Sequence, residues 1–237
     1  MRRPGLLLLC LTFTSLLSIL YLSGAFQSAH NSVSDRLQTV LTTPPASNPV
    51  VYLLITDASL IEADEIDGIS WPWPRSAYAE AIRFLNSAGA REIIFDMIFS
   101  EPSIHGLEDD AAFGESMQEA GVILATLSSR TQSSMSEAAL QRNLQITERF
   151  SLQVDDTDKE MFHDHPFLRT PVAELTHQAK ALGDVKFIQD SDGVGRRIPM
   201  LIRSGERYHA SLPLAAAASI LGINRYQMEG NELLLSG

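Results

Sequence analysis

The stretch that decides the fold is residues 50–99, VVYLLITDASLIEADEIDGISWPWPRSAYAEAIRFLNSAGAREIIFDMIF. It opens with an apolar run at 50–56 and closes with a second one at 92–99. Continuous rather than alternating apolarity is typical of strands that are covered on both faces, as in parallel sheets. Between the runs, residues 75–88 have helical periodicity, and Gly89 follows as a left-handed cap. The stretch therefore predicts a strand–helix–strand crossover with parallel strands.

The most specific motif in the chain is Trp71-Pro72-Trp73-Pro74-Arg75. Each proline fixes its own φ and pushes the preceding tryptophan into extended geometry. Pro74 also suits the first position of the following helix, where no amide donor is needed. The two indoles are therefore expected on a stiff segment just before a helix. They either fill the edge of the core or contact a ligand.

Further segments accompany this motif along the chain. They are Asp57-Ala-Ser-Leu60, Gly89-Ala90, Phe95-Asp96, Phe99-Ser-Glu-Pro102, Asp110, Asp190-Ser-Asp-Gly193, Arg196-Arg197-Ile198-Pro199 and an alanine-rich run before Gly222. Together they resemble the CHASE type 2 domain, a sensory extracellular domain associated with cyclases, histidine kinases and serine/threonine kinases. The resemblance covers the chain from about Asp35 to the C-terminus. It implies an extracytoplasmic input module and specifies no ligand.

The remaining patterns predict an alternation of helices and strands. Helices are expected at 108–120, 170–182 and 211–221, and strands at 122–126 and 184–189. A turn at 190–193 leads into a hairpin strand at 196–203, and one or two short strands follow at 226–235. The predicted fold is a three-layer α/β/α sandwich with a mainly parallel sheet and an antiparallel edge hairpin, preceded by one transmembrane helix.

Composition excludes several kinds of partner and chemistry. The 237 residues are 45% hydrophobic and carry a net charge of −11, which argues against nucleic acid as a partner. The single cysteine, Cys10, lies in the N-terminal apolar run, so the folded part offers no disulfide and no thiolate. No nucleophile motif or phosphate-binding loop appears, and we assign no catalytic residue, metal or cofactor.

The N-terminus is interpreted as a targeting segment. Arg2 and Arg3 precede an apolar run from Leu6 to Phe26, which predicts a membrane span with its N-terminus in the cytoplasm. The alternative is a cleavable signal peptide. The expected organisation is an anchor at 1–26, a linker at 27–49 and a sensory domain at 50–237. The expected location is the bacterial inner membrane with the domain outside. Since no output domain follows in the sequence, the chain is interpreted as a fragment, a gene-model truncation or a stand-alone form.

The candidate ligand site is acidic and lies at the carboxyl ends of the predicted strands, where open α/β sheets bind ligands. Asp57 follows the first strand, Asp96 lies in the second, and Asp110 opens the next helix. The full set of candidate ligand-binding residues is Asp57, Trp71, Trp73, Arg75, Asp96, Glu101 and Asp110. Such carboxylates hold a metal or act as acid and base. Alternatively they cap helices and pair with Arg75 as a structural network.

The leading hypothesis is an input module that responds to a small-molecule or protein ligand by a population shift. The expected partners also include the membrane, through the N-terminal helix, and a second copy in a homodimer. One alternative is a metal-dependent hydrolase that uses Asp57, Asp96 and Glu101. Another is an ectodomain that only dimerises. The His163-Asp164-His165 segment is interpreted as a surface loop rather than a metal site.

Overall fold

The computed structural model describes residues 4–41, 50–131, 137–152, 154–155, 162, 164–190, 192–229 and 232–237. The chain divides into two compact units, residues 1–56 and 57–237. The first unit contains helices α1 (Pro4–Leu22) and α2 (Ala25–Leu41). The second contains the other helices, the strands and every residue of the candidate site.

The N-terminal prediction is corrected. Within the described part of the chain, no helix is long and apolar enough to cross a membrane. The run expected to continue to Phe26 breaks after Leu22, where the chain turns through Ser23 and Gly24 (φ 73°) into α2. The predicted transmembrane helix, and the inner-membrane location that rested on it, are therefore wrong.

The predicted first strand is also wrong. Residues 50–56 adopt no regular secondary structure, and their side chains are exposed, with Val51 at 81%. Helix α3 (Asp57–Ile66) begins directly after them. The predicted strand–helix–strand crossover therefore lacks its first strand. The crossover that forms instead begins with a strand in the second apolar run, residues 92–99, and leads to the next parallel strand along the chain.

The main sheet has four strands. Strand β2 (Val122–Ser129) is central and pairs in parallel with β1 (Ile93–Phe95) on one side and with β5 (Ala181–Asp184) on the other. Strand β4 (Phe167–Arg169) pairs antiparallel with the C-terminal part of β2. As its continuous apolarity indicates, β2 is buried on both faces. Val122 and Leu124 face one core cluster, and Ile123 and Ala125 face the other.

Helices cover both faces of this sheet. Helices α4 (Arg75–Ser87), α5 (Leu107–Met117) and α7 (Ala173–Gln178) contribute to the first core cluster. Helix α8 (Leu212–Leu221) contributes to the second and packs against β5 and β2. Helix α6 (Glu137–Thr147) and a 3₁₀ turn (Glu148–Phe150) complete the described helices.

The remaining strands form two further small sheets instead of an edge hairpin of the main one. Strands β6 (Leu201–Ser204) and β7 (Arg207–Ala210) pair antiparallel. Strand β8 (Arg225–Glu229) pairs with β9 (Glu232–Ser236) and with the short β3 (Val154–Asp155). The predicted single-sheet sandwich is therefore wrong, and the domain is a mixed α/β fold with several small sheets.

One glycine explains how the main sheet and α8 approach each other. Gly183, which directly follows the helix predicted at 170–182, lies inside β5. A Cβ atom added at Gly183 would fall 2.3 Å from the Cα of Leu212, at the start of α8. Only glycine permits this approach of two backbones.

The packing of the aromatic core predicts how much one buried ring contributes to the free energy of unfolding. Phe113 on α5 is fully buried, with its ring 5.2 Å from that of Phe99 and 5.8 Å from that of Tyr78. We expect Phe113→Ala to lower the free energy of unfolding by about 3–5 kcal/mol, since it leaves a cavity that the sheet cannot close. The matched control is Phe84→Ala on α4, where Phe84 is 69% exposed. Urea unfolding of both variants measures the difference, and equal losses would contradict this description of the core.

Candidate functional site

Two clusters of polar side chains lie near the carboxyl ends of the parallel strands. We call the first the Arg75 cluster, and it consists of Arg75, Ser103, Asp109 and Asp110. We call the second the Ser128 cluster, and it consists of Ser128, His165 and Asp184. The Arg75 cluster joins the starts of two helices to the loop after β1. The Ser128 cluster joins β2 and β5 to His165, which lies two residues before β4.

Asp109 caps the start of α4 from another helix. The N-cap residue of α4 is Pro74, whose side chain makes no capping hydrogen bond. The amides of Arg75 and Ser76 donate instead to the two carboxylate oxygens of Asp109, at 2.6 and 2.9 Å. The Ser103 hydroxyl also donates to Asp109, at 2.6 Å. The α4 start therefore gains from α5 the acceptor that its proline cannot supply.

The hydrogen bonds to Asp109 also favour the ionised form of its carboxylate. Burial opposes ionisation of Asp109, but the bonds from Ser103, Arg75 and Ser76 outweigh it and hold the pKa of Asp109 below its ordinary value. Asp109 therefore carries a negative charge at the α4 N-terminus, where the helix dipole favours an anion.

The Arg75 side chain is fixed by three contacts. Its Nε donates to Asp110 at 3.2 Å, and one terminal nitrogen donates to the carbonyl of Glu101 at 3.1 Å. Its guanidinium carbon lies 4.5 Å from the centre of the Phe99 ring. The second oxygen of Asp110 accepts from the Ser103 amide at 2.7 Å. Since the Asp110 side chain is only 1% exposed, the Arg75 charge compensates a buried carboxylate.

The two tryptophans extend the aromatic core to the surface. Their rings meet edge to face at 6.0 Å, and Trp73 lies 6.4 Å from Tyr78. Trp71 is 52% exposed, whereas the Trp73 indole nitrogen is buried and has no hydrogen-bond partner among the described residues. His105 contacts the Pro72 carbonyl at 3.3 Å and so ties the motif to the loop after β1.

The structure brings together part of the predicted site. Arg75, Asp110 and the Glu101 carbonyl meet directly, and Trp73 packs beside them. Asp57 and Asp96 are both exposed, and neither contributes to the contacts that build the Arg75 cluster. Within the described residues, no group of three acidic, histidine or cysteine side chains is placed to hold a metal ion. The metal-site arrangement that the hydrolase alternative required is therefore not formed by these residues.

Sequence reasoning missed the Ser128 cluster. His165, interpreted as part of a surface loop, is only 2% exposed, and its Nδ1 lies 3.1 Å from the Ser128 hydroxyl. Asp184 ends β5 and is fully buried, and one of its oxygens accepts from the Lys186 amide at 2.6 Å. The apolar residues just before Asp184 could have predicted a buried strand that ends at this carboxylate. They were assigned instead to the end of a helix predicted at 170–182.

This cluster is better suited to binding than to nucleophilic attack. Ser128 lies within hydrogen-bonding distance of a histidine, as in activated serine nucleophiles. However, Ser128 is 2% exposed, so a substrate cannot reach its hydroxyl. Of the three residues of this cluster, His165 lines a surface cavity.

Two buried groups have strongly shifted pKa values. Burial raises the pKa of Asp184 to about 6, against opposing contributions from Lys186 and Ser128. Burial, with a smaller contribution from Arg207, lowers the pKa of His209 to about 4. One carboxylate oxygen of Asp184 and the Nε2 of His209 have no hydrogen-bond partner in the described part of the chain.

The architecture is that of a mixed α/β domain with polar groups gathered at a sheet edge, which is typical of ligand-binding domains. The CHASE2 domain family model matches residues 8–235, nearly the whole chain. The chain therefore belongs to the CHASE2 domain family, which confirms the resemblance found in the sequence. CHASE2 is an extracellular sensory domain of signalling receptors rather than a catalytic one. Comparison with curated proteins and with solved structures gives no match.

The shifted pKa values predict opposing effects of pH on stability. Asp184 ionises near pH 4 when unfolded but near 6 when folded, so its contribution to stability is lost as the pH rises through this range. His209 takes up its proton near 6.5 when unfolded but near 4 when folded, so its contribution is lost as the pH falls. Each effect amounts to about 2–3 kcal/mol.

We therefore expect Asp184→Asn to lose more stability than the wild type between pH 7 and pH 4, and His209→Gln to lose less. Urea unfolding at the two pH values measures both effects. Asp96→Asn and His177→Gln are matched controls at exposed positions. If all four variants follow the wild-type pH dependence, the buried titrations are not as described.

Proposed function

We propose that this CHASE2 domain is the ligand-input module of a receptor with an adenylate cyclase, histidine kinase or serine/threonine kinase output. The observation that carries the proposal is the family membership across residues 8–235. The sites support it, because the polar groups at the sheet edge are committed to fixed contacts and a cavity rather than to an exposed reactive group. Such an arrangement suits recognition of a ligand.

The proposed mechanism is a population shift between two arrangements of the Arg75 cluster. A ligand changes an equilibrium only if it binds the two conformations with different affinity. Arg75 joins the start of α4, the Glu101 carbonyl and Asp110 on α5, so a change at this residue moves three segments together. We propose that ligand binding changes these contacts and that their rearrangement is passed to the output domain.

The test measures the cyclase and kinase activity of the gene product that carries this chain. We expect that gene product to produce cyclic AMP or to phosphorylate a histidine, serine or threonine. Arg75→Lys should change the basal output several-fold, because lysine keeps the charge but loses the planar fork that holds two acceptors at once.

Arg83→Lys is the matched control, since Arg83 lies on the exposed face of the same helix. Circular dichroism establishes that both variants fold. If no such output is found, or if Arg75→Lys and Arg83→Lys give the same output, the proposed function is rejected.

A further inference from the structure

The Ser128 cluster places a buried carboxylate at the point where β5 ends. Asp184 is the last residue of β5 and is fully buried. One of its carboxylate oxygens accepts from the Lys186 amide at 2.6 Å, and this bond between residues two apart closes an Asx turn. Its other oxygen is buried and has no hydrogen-bond partner among the described residues. Such a site penalises the charged form of the carboxylate.

The Asx turn begins the loop that follows β5. Just before it, the Val185 amide donates to the Thr126 carbonyl at 2.9 Å, which ties residue 185 to β2. Farther along the loop, Ile188 forms a β-bridge with Arg197. Residues 186–189 between these points line a surface cavity of about 330 Å³. The Lys186 amide is therefore bonded at the junction between a buried strand and a loop that lines a cavity.

Few charged groups lie on the elements that pack against Asp184. Strand β5 packs mainly against β2, α8 and β7. Strand β2 and helix α8 carry no titratable side chain. The titratable side chains of β7 are Arg207, Tyr208 and His209. The loop itself adds Lys186, whose charge favours the ionised form of Asp184, and Asp190, which is paired with Arg196 at 2.9 Å.

Ser128 connects Asp184 to one further titratable side chain, that of His165. The hydroxyl and the amide of Ser128 favour the ionised form of Asp184. The same hydroxyl lies 3.1 Å from Nδ1 of His165, whose amide donates to the Arg203 carbonyl at 2.8 Å. The Arg203 side chain pairs with Asp164 at 3.2 Å. Because β2 is packed on both faces, a change of charge at Asp184 is accommodated more easily by the loop than by the sheet.

We propose that Asp184 is a proton-responsive switch for the loop at residues 185–190. When Asp184 is ionised, its carboxylate holds the Lys186 amide through a charge-assisted hydrogen bond. When Asp184 is protonated, the neutral carboxyl group is a weaker acceptor and becomes a donor itself, so the Asx turn loosens and residues 186–189 rearrange. This regulation goes beyond the ligand role proposed above, because the loop responds to protons whether or not the chain serves a cyclase or kinase.

The switch operates under mildly acidic conditions. Burial raises the pKa of Asp184 to about 6, against the opposing effects of the Lys186 amide and Ser128. Asp184 is therefore mostly ionised above about pH 7 and mostly protonated below about pH 5. His209 does not change its charge in this range, since burial lowers its pKa to about 4. Acidification to about pH 5 is thus expected to loosen the loop without charging the buried histidine of β7.

The test follows Asp184 and the loop in the same sample. The full chain, labelled with ¹³C and ¹⁵N, is titrated from pH 7.5 to pH 5. We expect the Asp184 carboxyl carbon and the Lys186 amide to titrate together, with one midpoint at about pH 6. Hydrogen exchange of the Lys186 amide, corrected for the intrinsic effect of pH, should be about tenfold faster at pH 5, since a neutral acceptor binds the amide more weakly. The Val185 amide is the internal control and should change less than about twofold, because its acceptor is a backbone carbonyl.

Variants assign the titration to Asp184. Asp184→Asn should abolish the pH response of the Lys186 amide, because asparagine keeps an acceptor oxygen but has no titratable proton. Asp96→Asn is the matched control, since Asp96 follows the parallel strand β1 but is exposed, and it should leave the response unchanged. Ser128→Ala should raise the midpoint, because it removes a hydroxyl that favours ionised Asp184. His165→Gln should retain a titration between pH 5 and pH 7.5.

The proposal is overturned if the Asp184 carboxyl carbon of the wild type does not titrate in this range, or if it titrates while exchange of the Lys186 amide stays constant. It is also overturned if His165→Gln removes the titration. The wild-type measurement decides the matter even if Asp184→Asn fails to fold. Failure of the proposed function is separate, since titration of Asp184 in a gene product without cyclase or kinase output removes only the receptor role. Output that responds to Arg75→Lys in a chain without this titration removes only the switch.

Discussion

The ion pair between Arg75 and Asp110 is the contact on which the candidate site depends. Asp110 is almost fully buried, and a buried carboxylate without a compensating charge costs several kcal/mol. Arg75, the first residue of α4, supplies that charge. Because Pro74 cannot cap α4, the neighbouring Asp109 does so, and both carboxylates come from the first turn of α5. The WPWPR motif therefore connects the start of α4 to the first turn of α5, and it packs against the aromatic core.

The proposed signalling rearrangement involves the Arg75 cluster rather than the packed core. The Arg75 cluster lies on loops and helix starts, whereas residues 122–126 of the central strand β2 are all buried. Regions held by a few directional polar contacts rearrange more readily than a packed core, which is strongly constrained in its volume.

The sequence predicted local elements better than their assembly. Helix α4 and strand β2 were identified because helical periodicity and continuous apolarity report directly on burial. The same reasoning failed for residues 50–56, since an apolar run does not reveal whether a strand partner is available. Asp110 and Arg75 were both identified as candidate site residues, but Asp109 was not among the candidates. Its capping of another helix, like the meeting of Ser128, His165 and Asp184, depends on tertiary contacts between distant segments.

The most direct test of this account is a double-mutant cycle on Arg75→Met and Asp110→Asn, measured by urea unfolding. We expect a favourable coupling of about 1–3 kcal/mol, because each side chain satisfies the other in a largely buried position. The control cycle is Arg83→Met with Glu80→Gln, two exposed positions on α4, where the coupling should stay below about 0.5 kcal/mol. Coupling at Arg75 and Asp110 no larger than that of the control pair would contradict the central claim.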